Sequence, residues 1–127
     1  MPDSEPSPAI PEQVREGLEL FNRGEFFECH EVLELAWRAE PGPDRTLYQG
    51  VIQAAVAMFH VRRGRWQPAQ IMLRRALPRL RLFEPAWRGV DVRRLVSELE
   101  RCSASLERLG PDRIAELSSG PFPRIRF

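Results

Sequence analysis

The chain has no lysine: all 19 of its basic side chains are arginine, a bias best explained at the level of genome composition. It is also poor in cysteine and histidine, with two of each. Cys29 and Cys102 form no C-x-x-C or other metal-ligand spacing. That excludes a cysteine-built metal site and points to small apolar residues in a reducing compartment. Long apolar runs are missing too. None approaches the ~18 residues needed to span a bilayer, and no basic-then-apolar leader opens the chain. The expectation is therefore a cytoplasmic protein with no membrane association.

What is present suits one globular domain. A chain of 127 residues, 43% hydrophobic and 29% charged, can build a single core without disulfides or metal. The net charge is +1, but it is unevenly spread. Residues 1–61 hold four Arg against eleven acids, and residues 62–94 hold ten Arg against Glu84 and Asp91, so the blocks are −7 and +8. The expectation is that an acidic helix and a basic helix face each other inside the domain, rather than that a basic surface awaits an anionic partner. Beyond charge there is no nucleic-acid signature, and nucleic acid is not expected as a partner. A protein partner or self-association stays open.

Apolar periodicity and breakers predict an all-α fold of about five helices. Residues 1–10, rich in Pro and Ser, read as a disordered leader. Pro11 opens a first helix to Asn22, with Val14, Leu18 and Phe21 inward, and Gly24 ends it. A second runs from Glu25 to Glu40 and stops at Pro41-Gly42-Pro43. The third spans Asp44 to Arg63, with Tyr48, Ile52, Val56 and Phe59 on one side, and Gly64 ends it. The fourth starts near Trp66, with Leu73, Leu77 and Leu80 inward and a kink or early end at Pro78. Asp91 caps a fifth through Leu109, on which Leu95, Leu99, Cys102 and Leu106 share a face. The helical domain thus covers 11–110. Residues 111–127 make a helical turn near Ile114 and then an extended strap whose Phe122, Ile125 and Phe127 lie on the bundle. No strand is expected.

The second and fourth helices begin alike, forty residues apart. Arg23-Gly24 precedes Phe26, Cys29, Leu33 and Ala36, and Arg63-Gly64 precedes Trp66, Ala69, Leu73 and Ala76. The pattern is weakly tetratricopeptide-like and predicts two antiparallel helical hairpins with a covering helix, too few for a repeat array. At the positions equivalent to His30 and Glu34 stand Gln70 and Arg74. The hairpin itself therefore does not require a His/Glu pair.

That pair marks the candidate site. At 100° per residue, Phe26, His30, Leu33 and Trp37 share one face, with Glu34 at its border one turn after His30. Folding the chain about residues 41–42 sets His30 level with Gln53 and Glu34 level with Gln49. Trp37 and Tyr48 wall the near end, and His60 lies about 10 Å further along at 1.5 Å per residue. The expectation is a polar pocket of His30, Glu34, Gln49 and Gln53 flanked by Trp37, Tyr48 and His60. Three uses remain open. One is a satisfied buried network that fixes the packing. Another is a divalent metal ion on His30 and Glu34, although two ligands are fewer than the four zinc normally takes. The third is general acid/base chemistry, with no nucleophile in reach.

The run Phe27-x-x-His30-x-x-x-Glu34-x-x-Trp37, followed by Tyr48-Gln49-Gly50-x-Ile52-Gln53, Phe59-His60 and Arg63-Gly64, resembles domain-of-unknown-function family 309. The similarity covers roughly residues 14–80, and the Phe122-Pro123-Arg124-Ile125 tail is also similar. The resemblance implies an all-helical protein without an established activity. It carries a suggested metal-binding role onto His30 and Glu34, with Trp37 as their motif companion. Two functions follow from these readings: a pocket for a divalent metal or small polar ligand, or a helical protein-interaction module whose His/Glu pair is structural. Whether the chain is an enzyme stays open.

Overall fold

The computed structural model describes residues 8–127. Of the expected leader, only residues 8–10 are among them, and Ile10 is buried. Five helices form: α1 (Glu12–Asn22), α2 (Phe26–Ala39), α3 (Asp44–Arg62), α4 (Trp66–Arg81) and α5 (Val92–Leu109). A short 3-10 turn follows at Ile114–Glu116. The all-α reading holds, and consecutive helices pack as neighbours in chain order.

The glycine echo is the same device used twice. Gly24 and Gly64 take φ of +75° and +70°. The next amide then reaches back over the helix end, Glu25 N–H to Leu20 O and Arg65 N–H to His60 O, each 2.9 Å. This closure satisfies terminal carbonyls and turns the chain into an antiparallel partner. α1 meets α2 so closely at Gly17 that a Cβ there would lie 2.5 Å from Leu33 side-chain atoms. α3 meets α4 at Gly50 in the same way, with Leu80 at 2.9 Å.

Inward faces of α1, α4 and α5 are those expected: Val14, Leu18 and Phe21; Leu73, Leu77 and Leu80; Leu95, Leu99 and Leu106 are all buried. The middle helices differ. α2 buries Phe26, Cys29, Leu33 and Ala36, a face rotated away from His30 and Trp37, which are only half-buried. α3 buries Leu47, Val51, Ala54, Ala55, Met58 and Val61 along with Tyr48, and leaves Ile52, Val56 and Phe59 half-buried. Cys29 is wholly enclosed, and burial pushes its thiol up to about 12. It is inert packing material.

Three further corrections concern the second half. α4 continues to Arg81 through Pro78. Pro78 is exposed, so the carbonyl it leaves without an amide can turn to water. A two-strand ribbon, β1 (Ala86–Trp87) and β2 (Val90–Asp91), precedes α5. Its two-residue loop, Arg88-Gly89, has positive φ at both positions, the geometry that matches strand twist. The ribbon is anchored on the start of α3: Trp87 Nε1 donates to Asp44 Oδ1 at 3.0 Å, Arg88 pairs with Asp44 Oδ2 at 3.1 Å, and Tyr48 meets the Trp87 ring edge-on. Finally, among the described residues the acidic and basic blocks meet in one ion pair, Arg88 with Asp44, and not helix against helix. Among the described residues, no ion pair joins an acid of α1 or α2 to an arginine of α4.

The strap is held at both ends. Asp91 N–H donates to Arg126 O at 2.8 Å, Ser118 Oγ donates to Val61 O at 2.8 Å, and Ile125 is 1% exposed. Phe122 packs edge-on against Phe26. Phe127 remains exposed beneath Arg15.

Candidate functional site

His30 and Glu34 are one turn apart on α2, and their side chains meet: Nε2 to Oε2 is 3.3 Å. Each side chain is 34% exposed, so the pair lies at the rim of the α2–α3 contact. Glu34 is shared. Its other oxygen accepts from Arg38 Nη2 at 2.6 Å, which makes a His30–Glu34–Arg38 ladder at i, i+4 and i+8. Both carboxylate oxygens are therefore engaged from within the same helix.

The α2–α3 register differs from the one expected. Phe27 packs on Phe59, and Arg62 Nη1 donates to Gly24 O at 2.7 Å, which together centre the hairpin on residue 43. A turn centred there, on Pro43, would set His30 level with Val56 and Glu34 with Ile52. The glutamines are consequently not partners of His30. Gln53 Oε1 accepts from Arg79 of α4 at 3.3 Å, and among the described residues no hydrogen bond joins His30 or Glu34 to Gln49 or Gln53. Gln49 is half-buried.

The flanking residues do other work. Trp37 braces the α2–α3 turn: Arg45 lies 4.0 Å over its ring and donates Nε–H to its carbonyl. Tyr48 is buried in the core against Trp87, and burial, then Asp44 and Glu40, raise its phenol above its ordinary value despite Arg88. His60 is not beside His30 but is joined to it through rings, in the order His30, Phe27, Phe59, His60, with centroids about 6 Å apart at each step. Its Nδ1 is buried without a hydrogen-bond partner among the described residues. Burial, then Arg65, hold this imidazole below its usual value, which favours the neutral ring.

A divalent ion would find a small donor set here. His30 and Glu34 supply two ligands, one of them spent on Arg38. Among the described residues no three His, Cys, Asp or Glu side chains come together as metal ligands. Structural zinc takes four ligands, and catalytic zinc three plus water.

Sequence reasoning missed the exposed side of α2. Phe27 and Leu35 are 53% and 55% exposed and stand on either side of the His30–Glu34 pair. Glu28 and Glu31 are exposed beside them. The signal was legible: Phe27 and Leu35 lie off the Phe26–Leu33 face, where hydropathy alone gives no reason for large apolar groups. Gln70 is the one buried polar residue among those described, bonded by Ser103 Oγ at 3.2 Å. It occupies the position equivalent to His30 in the hairpin echo.

Comparison with known proteins agrees with the resemblance read from the motif. Residues 14–72, which hold every candidate site residue, match the family described as "Domain of unknown function (DUF309)". An uncharacterized protein of Bacillus subtilis, YpuF, is 35% identical over 68 residues, covering 53% of this chain and 37% of its own length. An uncharacterized protein of Aquifex aeolicus is 26% identical over 97 residues, covering 76% of this chain and 29% of its own. The chain thus spans about a third of the length of the curated relatives it matches. No helix among the described residues is long and apolar enough to cross a membrane.

Proposed function

We propose that this domain is a protein-interaction module whose recognition surface is the outer side of α2, centred on the His30–Glu34 pair. One observation carries the reading: Phe27 and Leu35, both more than half exposed, bracket that pair on a helix whose core face is already satisfied. Large apolar side chains flanked by polar ones are what interface centres use, and more than half of each stays in solvent even though Phe27 also packs on Phe59. The border is acidic, with Glu28 and Glu31 exposed on the same helix and Glu25 just before it. The complementary partner is an amphipathic helix with an apolar stripe and basic edges, docked helix against helix. A match to segments of much longer relatives supports a module joined to other parts.

The test is a photo-crosslinking amino acid placed in the cell at position 27, at 35, and at exposed Ala104 on α5 as control. The reading expects the same discrete adduct from 27 and 35, absent from 104 and weakened by Glu28→Arg/Glu31→Arg. Equal adducts from 104, or none from 27 and 35, overturn it.

A further inference from the structure

A second site lies elsewhere, between α5 and the C-terminal strap. A cleft of about 410 Å³ opens there, within the size range of small-molecule pockets. Its apolar wall includes Val61, Leu117 and Phe122, and its polar wall Arg101, Arg124 and Arg126. It shares no residue with the α2 surface.

The charges in this cleft do not cancel. Glu98, its one carboxylate, accepts from the Arg124 amide, from Arg94 and from Arg126. Among the described residues, Arg101 and Arg124 have no carboxylate partner, and Arg101 reaches only Ser97 Oγ at 3.4 Å. Cys102 also lines the cleft, but burial pushes its thiol up to about 11, so it adds no negative charge near neutrality. Two arginines without a carboxylate partner thus line a cleft that has an apolar wall, a combination that favours an anion carrying an apolar body. The walls are also fixed in advance. Ser118 ties the strap to α3, Asn22 grips Ile125, and Pro121 and Pro123 restrict the backbone between these anchors. Preformed walls cut the ordering cost of binding.

We propose that the α5–strap cleft binds a small anionic amphiphile, a carboxylate or phosphate monoester on an aromatic or short aliphatic body. Arg101 and Arg124 hold the anion, and Val61, Leu117 and Phe122 cover the body. The source of the anionic group is decided by paired probes. Isotope-labelled protein is titrated by NMR with naphthalene-2-carboxylate, 2-naphthyl phosphate, the neutral naphthalene-2-carboxamide and inorganic phosphate.

Saturable shifts confined to residues around 101–105 and 117–124 are expected for at least one naphthyl anion. The carboxamide and inorganic phosphate should each bind at least about tenfold more weakly. Arg101→Gln/Arg124→Gln should weaken the anion by about tenfold or more and leave the spectrum of the free protein folded. That fold control is secure because Arg124 meets Glu98 through its backbone amide, which the variant keeps. Carboxamide binding as tight as the carboxylate, inorganic phosphate as tight as its naphthyl ester, or no saturation by about 5 mM overturns the proposal.

Discussion

Asn22 and Ile125, 103 residues apart, exchange two hydrogen bonds: Asn22 Nδ2 donates to Ile125 O at 2.6 Å, and Ile125 N–H donates to Asn22 Oδ1 at 2.7 Å. The carboxamide at the end of α1 acts as a strand neighbour would, satisfying both backbone groups of a residue that is 1% exposed. Removing it leaves both without partners. Asn22→Ala should therefore destabilise the protein by roughly 1–3 kcal/mol, read from the denaturant midpoint. Hydrogen exchange should show the Ile125 amide losing protection well beyond its neighbours in α1. Uniform loss of protection across the molecule would place the effect in the bundle instead.

Acid should release the same strap. Burial alone would raise the Glu98 carboxyl, but the Arg124 amide and the Arg94 and Arg126 guanidinium groups outweigh it and hold it below the ordinary 4.5. A carboxylate depressed in the folded state stabilises the fold above its unfolded value and loses that stability as pH falls through the folded one. Glu98 therefore contributes fully above about pH 5, and the contribution drains away as pH drops from 4.5 downward. Glu98→Gln should be less stable than the parent near neutrality and nearly equal to it at the acid end. Parallel stability curves for the two proteins would show that the strap is not held by this charge.

The His30–Glu34 pair makes a third, sharper distinction. A closed network at this spot would cost several kcal/mol to break, whereas a rim pair is worth less than about 1 kcal/mol. With both side chains one-third exposed, His30→Ala and Glu34→Ala should each lower stability by no more than about that amount. Tag-free protein should also show no stoichiometric rise in melting temperature with Zn²⁺. A 1:1 metal-dependent rise, lost in both variants, would restore the metal reading.

Much of the fold was legible because its punctuation is local. Gly24, Gly64, Gly110 and Pro41 end helices by backbone geometry, and Asp91 caps α5 by accepting from Arg94 N–H, so neighbours far away have little say. The face of each middle helix was less legible. α2 packs on α1 and α3, and α3 on α2 and α4, so apolar residues surround both and no single stripe identifies the core. Wheel angle alone therefore points His30 inward, where Cys29 lies. The pocket depended further on hairpin register, and counting the turn from residue 41 rather than 43 moved Gln53 onto His30 instead of toward Arg79. The ribbon at 86–91 escaped because two-residue strands carry no alternation to detect.

The hairpin echo leads to a last expectation. Gln70 is 2% exposed, and Ser103 Oγ donates to its Oε1 at 3.2 Å across the α4–α5 contact. Breaking one side of such a bond strands a buried acceptor, whereas replacing both partners removes the need for it. Ser103→Ala should accordingly cost about 1–3 kcal/mol, despite deleting a single oxygen from a half-buried side chain. Adding Gln70→Met, which keeps the length of the side chain without its amide, should recover most of that loss. The coupling is read as the non-additivity of the two substitutions in a double-mutant cycle, where pairs in direct contact give about 0.5 kcal/mol or more. Strict additivity would mean that water, not Ser103, satisfies Gln70, and that the α4–α5 contact relies on its other links, such as Trp66 Nε1–H to Leu106 O and Arg81 to Glu100.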